Sequence, residues 1–212
     1  MNQLKSVTVV EHPIVARDLT ILRDKSTPSA VFRPVLGRLA TILAYHALDH
    51  LPLKSIQVET PMQFTTGYII NTGVIVVPIL RAGLGLVDAI TQFIPEARIG
   101  HLGIYRDKKT HKPVEYYINL PKSGLDIDTI LLVDPMLATG GSAIDAIGYL
   151  KDQGAKTIRF MCLIAAPEGV EALHKEHPDV PVITASIDEK LNEDAYIIPG
   201  LGDAGDRIFG TI

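Results

Sequence analysis

Two apolar runs constrain the fold of this chain more than any other feature. VIVVPI (Val74 to Ile79) and TILLVD (Thr129 to Asp134) are short and rich in β-branched and aliphatic residues. Each ends in a glycine-bearing turn that opens a helical pattern. The first is followed by RAGLG and a helix through LVDAITQF, stopped by Pro95. The second is followed by SAIDAIGYLKDQG, in which Ala143, Ala146, Ile147 and Leu150 share one face and Gly154 supplies the stop. RIGHLGI, TIRFMCLIAA and PVITASI read as further strands, with EGVEALHKEHP as a helix between the last two. Upstream, Val31, Val35, Leu39, Ile42 and Leu43 recur near a helical period between Ala30 and Leu48. Pro34 lies near that helix's start, where a missing N–H is tolerated, and LKSIQVET follows as a strand. Strand and helix in repetition predict an α/β fold with a central, mostly parallel sheet and helices on both faces. Such sheets bind ligands at the carboxyl ends of their strands, so chemistry is expected in the loops leaving VIVVPI and TILLVD.

Two segments break the alternation. Residues 105–121, YRDKKTHKPVEYYINLP, are too polar for core, and their flanks read as strands of a projecting hairpin arm. The C-terminal stretch YIIPGLGDAGDRIFGTI has several glycines, one proline and no helical period, so it reads as an ordered loop. Together with the residues before it, 191–212, it forms a cap. With 212 residues and no repeat, linker or low-complexity tract, the chain reads as one domain, 1–212. The formal net charge of −4 gives no general attraction to nucleic acid or an anionic membrane. The N-terminus has no leader pattern, and no apolar run approaches the ~20 residues that span a bilayer. A soluble cytoplasmic protein is expected. The one cysteine, Cys162, lies in an apolar run and reads as a core side chain. His46 and His50 are four apart but flank no metalloprotease pattern, and His174 and His177 sit on a polar helix, so all four read as structural or surface residues.

The second loop carries the functional argument. Thr139-Gly140-Gly141-Ser142 puts two glycines and two hydroxyls at the start of a helix, where the first amides lack internal partners and the dipole is positive. Paired glycines let the backbone form a nest and keep side chains from holding a phosphate away. No lysine follows, so this is not the nucleoside-triphosphate loop; it suits a monophosphate held by amides and hydroxyls. Asp134, at the strand end, is placed to accept from sugar hydroxyls. The same residues also fit a plain helix cap with Ser142 or Thr139 as capping residue, and the turn alone does not choose between the two.

DPMLATGGSA resembles the 5-phosphoribosyl-1-diphosphate (PRPP) motif of phosphoribosyltransferases, in the form of the uracil phosphoribosyltransferase family. The wider class has two adjacent acidic residues there; this chain has Asp134 then Pro135, a departure the uracil enzymes share. The resemblance runs through HPIVARDLTILRD, VPILRAGLG, YRDKKTHKPVEYY, AAPEGVEAL, TASIDEKLNE and YIIPGLGDAGDRIFG, which is essentially the whole chain. It implies transfer of a 5-phosphoribosyl group from PRPP to uracil, giving UMP and pyrophosphate. PRPP would be held by Arg81, Arg106, Asp134, Pro135, Met136, Leu137, Ala138, Thr139, Gly140, Gly141, Ser142 and Asp203. Of these, Arg81, Arg106, Asp134 and Asp203 would take part in catalysis. Uracil would be bound by Ile197, Gly202, Asp203 and Ala204. Mg²⁺ would arrive bound through PRPP rather than in a protein cage. A homodimer or homotetramer is implied, with GTP as an activator in some members. Lys108, Lys109 and Lys112 read as a solvated hairpin tip. Gly200-x-Gly202-x-x-Gly205 formally matches the dinucleotide fingerprint but lacks its strand-turn-helix setting. Two other readings stay open: a pyrimidine-responsive RNA-binding regulator on the same fold, and a phosphoribosyltransferase for another base.

Overall fold

The computed structural model describes residues 6–106 and 113–211, without the side chains of 105–106 and 113–115. In chain order its elements begin with β1 (Val7–Val9), α1 (Pro13–Arg23), α2 (Ser29–Ala47), β2 (Leu53–Glu59), β3 (Phe64–Ile70), β4 (Val74–Pro78) and α3 (Leu84–Phe93). There follow β5 (Arg98–Ile99), β6 (His101–Arg106), β7 (Pro113–Asn119), β8 (Thr129–Val133), β9 (Met136–Leu137), α4 (Gly141–Asp152), β10 (Thr157–Met161) and β11 (Ile164–Ala165). The last are α5 (Pro167–Glu176), β12 (Val182–Thr184), β13 (Ser186–Ile187), β14 (Lys190–Leu191), β15 (Ile197–Ile198) and α6 (Ala204–Phe209).

The main sheet has the order β1-β12-β10-β8-β4-β5, and every pair in it is parallel. β4 and β8 lie inside it, and all five residues of each are buried, as their continuous apolar character requires. One face carries a core fed by α1, α2, α3 and α6, including Leu22, Phe32, Leu36, Leu39 and Ile90. The other carries one fed by α4 and α5, including Ile147, Leu150, Phe160 and Leu173. Each such side chain stabilises the fold by about 1.5–3 kcal/mol relative to exposure. The predicted α/β class and its two helical faces are thus observed.

Three strands do not stop where the main sheet stops. After Val133, Met161 and Thr184 the chain bends, then re-pairs as a second parallel tier, β9-β11-β13. TIRFMCLIAA and PVITASI, each expected as one strand, are therefore each split between two sheets. In TIRFMCLIAA the apolar run cannot reveal such a bend, because Phe160 to Ala166 are buried on both sides of it. RIGHLGI splits as well: Arg98–Ile99 pairs with β4, while His101 onward turns into the antiparallel β6–β7 hairpin. The tip of that hairpin, with Lys108, Lys109 and Lys112, falls outside the described residues. Pro34 lies inside α2 rather than in its first turn. The C-terminal stretch, expected as a loop, contains the short helix α6, started by Asp203 and closed by Gly210 at φ 69°. No helix among the described residues is long and apolar enough to cross a membrane.

Candidate active site

β4 and β8 are neighbours in register, Pro78 beside Val133, so the loops that leave them begin side by side at the carboxyl edge of the sheet. The loop after β8 is pinned at both ends. Asp134 N–H donates to Met161 O at 3.2 Å, and Leu163 N–H donates to Pro135 O at 3.0 Å. Met136 and Leu137 then enter the second tier. Gly140 is the residue before α4, at φ 82°, a left-handed conformation that favours glycine. A Cβ there would come 2.9 Å from Gly169 O. No side chain caps α4; Thr139 Oγ1 accepts from Gly141 N–H only at 3.4 Å. The cap reading, with Ser142 or Thr139 closing the helix start, is therefore not what the structure adopts. The amides of the first turn face a small cavity of about 100 Å³, lined by Asp134 and the stretch from Met136 to Ala143.

Within that stretch the residues differ in what they offer. Leu137 is buried in the core, so it can present only backbone to a ligand. Pro135 is buried and does not line the cavity. Met136 and Ala138 are half-buried, and Thr139 and Ser142 are exposed. Asp134 is partly accessible but packed on the cavity floor. Burial pushes its carboxyl up to about 7, a long bond from Met136 N–H at 3.5 Å offsetting only part of that rise.

Arg81 lies in the turn after β4 and is exposed. The turn folds back tightly, since Gly83 N–H donates to Ile79 O at 2.9 Å and a Cβ on Gly83 would come 2.6 Å from Val133 O. The Leu80–Arg81 peptide is cis. The Arg81 guanidinium sits 5.9 Å from the Phe209 ring centroid, so the β4 loop meets the C-terminal helix. Arg106 ends β6, and its side chain is outside the described part of the structure.

A second cavity, about 240 Å³, adjoins the first. Its lining includes Met136 and Ala138 from the loop after β8, Asp194 to Ile197 from the β14–β15 hairpin, and Asp203. Two of the four residues expected at the base, Ile197 and Asp203, are thus in its wall. Gly202, at φ 75°, and Ala204, fully buried, flank Asp203 without lining it. Asp203 also starts α6, its carboxylate accepting from Asp206 N–H at 2.9 Å.

Several residues that build the site went unread in the sequence. Gly169, in the first turn of α5, lies flush against the loop after β8; a Cβ there would come 2.2 Å from Ala138 O. Its neighbour Glu168 accepts from Leu191 N–H at 3.0 Å, tying the same turn to the β14–β15 hairpin. Arg207 is buried and donates to the carbonyls of Leu22, Leu201 (2.8 Å) and Asp24 (2.7 Å), its guanidinium 4.4 Å from the Phe32 centroid. It locks α6 to the end of α1. The block AAPEGVEAL was the one available signal for Gly169, since a glycine two residues into a helix asks for a reason. The histidines serve elsewhere: His50 Nε2 is 3.2 Å from Thr129 Oγ1 at the opposite end of β8, His174 meets Ser6 at 2.9 Å, and His177 meets Ile144 O at 3.1 Å. Cys162 is buried, and its thiol is pushed up to about 12. Among the described residues, no group of three or more His, Cys, Asp or Glu is arranged to hold a metal ion.

Comparison with known proteins bears on the fold and the family. The solved structure of the AQ2163 protein from Aquifex aeolicus superposes with a TM-score of 0.89, at 33% identity, covering 96% of this chain and 97% of that one. An adenine phosphoribosyltransferase from Leishmania tarentolae, 14% identical, shares the fold at a TM-score of 0.59. A uracil phosphoribosyltransferase of Salinibacter ruber is 54% identical over 208 residues, which is 98% of this chain and 99% of that protein. The family model for uracil phosphoribosyltransferase matches residues 9–211. From the sheet, the glycine turn and these likenesses together, the chain belongs to the uracil phosphoribosyltransferase family.

Proposed function

We propose that this protein transfers the 5-phosphoribosyl group of PRPP to uracil, forming UMP and pyrophosphate. The observation that carries the reading is the sharing of Met136 and Ala138 between two adjoining cavities, one opened by uncapped helix amides, the other walled by the C-terminal cap. A sugar phosphate seated in the first would present its anomeric carbon toward a base in the second. Thr139 to Ser142 would hold the 5-phosphate through amides and hydroxyls, and Asp134 would accept from ribose hydroxyls. Arg81, exposed at the end of β4, and Arg106, on the arm, would take the pyrophosphate. Ile197, Gly202 and Ala204 would bind uracil through backbone groups, and Asp203 would lie between base and donor. A backbone pattern matched to uracil rejects cytosine, whose amino group leaves polar groups wrongly opposed.

Uracil N1 gives up its proton to water and forms its bond to C1 as the C1–oxygen bond to pyrophosphate breaks, the sugar passing through an oxocarbenium-like state. Remote contacts to the phosphate fix C1 against N1, so binding energy is used for alignment. Each well-placed cation on the leaving group is worth about 3 kcal/mol. Mg²⁺ would arrive with PRPP and would neutralise diphosphate charge beside Arg81 and Arg106, keeping several waters as ligands.

The reading extends to assembly. The β2–β3 hairpin exposes Leu53, Met62, Phe64 and Tyr68, each more than 60% accessible, a surface suited to a second copy in a homodimer or homotetramer. Light scattering after size exclusion tests it. GTP as activator, a cytoplasmic setting and the organisation of 1–212 as one domain belong to the same proposal.

The deciding assay supplies PRPP, Mg²⁺ and a panel of bases, with and without GTP. UMP from uracil and no product from hypoxanthine is the expected result; the reverse overturns the reading. Salt-dependent RNA binding with no UMP formation would instead favour the regulator. Arg106→Ala should lower turnover, and unchanged turnover removes its clamp role.

A further inference from the structure

Gly200 sits at the apex of the cap, between Ile197, which walls the base cavity, and Asp203, which closes it. Its φ is +64°, and a Cβ would come 2.1 Å from Ile197 O, so the turn is tight enough to carry displacement from one wall to the other. Both backbone polar groups of Gly200 go to one ion pair. Its N–H donates to Asp188 Oδ2 at 2.9 Å, and its C=O accepts from Arg23 Nη1 at 2.8 Å. Arg23 grips Asp188 with both ends of its fork, at 2.7 Å and 2.6 Å, and Ser186 Oγ donates to the same carboxylate at 2.7 Å. The Asp188 side chain is 1% accessible and that of Arg23 25%, so the pair is largely removed from water. Neighbouring groups of the turn are also held by scaffold: Ile198 O accepts from Glu189 N–H at 2.9 Å, and Leu201 O from Arg207.

We propose that Arg23 and Asp188 are positioning residues for base recognition, fixing the Ile197–Asp203 turn through the two backbone groups of Gly200. Arg23 comes from the end of α1 and Asp188 follows the second-tier strand β13, so the turn takes its place from two independent elements of the scaffold. The bidentate geometry matters because a planar fork fixes orientation as well as distance. Neither side chain lines either cavity, so their effect reaches the base only through the turn.

The inference rests on the function proposed above, and wild-type UMP synthesis is measured first. If the wild type does not use uracil, that reading fails; if it does, the variants judge this inference alone. Asp188→Asn keeps an acceptor for Gly200 but removes the charge that holds Arg23. The double variant Arg23→Met with Asp188→Leu replaces the buried pair by apolar groups, an exchange that folds often tolerate. In both, KM for uracil should rise at least about tenfold, equivalent to about 1.4 kcal/mol. KM for PRPP should rise less, since of the PRPP contacts only Asp203 belongs to the turn. Arg23→Lys, which restores the charge without the fork, should fall between variant and wild type. A folded variant with unchanged KM for uracil overturns the proposal, as does an equal rise for both substrates. Loss of fold in all variants overturns it too, since the pair would then serve the core and not the turn.

Discussion

Asp134 carries a stability cost that substitution should relieve. Burial raises its carboxyl from the ordinary 3.8 to about 7, whereas in the unfolded chain it titrates near the lower value. Between pH 4 and 7 the folded protein therefore holds a proton that the unfolded chain has released. The unfolded chain binds fewer protons, so stability falls as pH rises through that window and is level above it. Three pH units at about 1.36 kcal/mol each set an upper limit of about 4 kcal/mol by pH 8. At pH 5 only about 1.5 kcal/mol has been lost by the same reckoning. Asp134→Asn keeps the shape and cannot ionise. In urea unfolding without PRPP, followed by circular dichroism, the variant's advantage over wild type should grow by about 2–3 kcal/mol from pH 5 to pH 8, a midpoint shift on the order of 1 M. A constant difference, or one that grows toward low pH, refutes a buried carboxyl with a raised titration point. The same variant should use PRPP less well, because the ribose loses its charged acceptor; unaltered PRPP kinetics would remove that role.

Gly169→Ala should raise KM for PRPP, on the order of a hundredfold if the loop moves by about 1 Å, because the new methyl meets Ala138 O; unchanged kinetics would mean that α5 yields instead. Arg81→Ala should lower kcat/KM by about a hundredfold or more in the steady-state assay with little change in melting temperature, the residue being exposed. Burial and the nearby Arg159 hold His50 below its usual titration range, so the unfolded chain takes up the proton first and stability should drop as pH falls below about 6.5. His50→Gln should flatten that part of the stability curve, as read by thermal melts between pH 5.5 and 7.5.

What the sequence disclosed follows how far each residue's fate is decided locally. Val74–Pro78 and Thr129–Val133 are buried on both faces, so composition alone marked them. Ala143, Ala146, Ile147 and Leu150 are all buried, as their spacing required. The hairpin partner FTTGYII went unread because neither of its faces enters the core, leaving no alternation to see. Val7–Val9 is a three-residue edge strand, too short for any period. Helix α6 has six residues and two small ones at its start, and Arg207 holds it from a distance that only the folded chain makes short. At the site, the glycine turn was legible because amide geometry is local. The Arg23–Asp188 brace was not, because its partners lie 165 positions apart.

The second tier of strands gives the donor site its mechanical character. With pairing on both sides of Asp134 and Pro135, the start of the loop into α4 is held by scaffold, and little chain entropy remains to be lost there. In the proposed reaction the donor would then bind with little rearrangement, and selectivity for the base would rest on the turn that Arg23 and Asp188 hold.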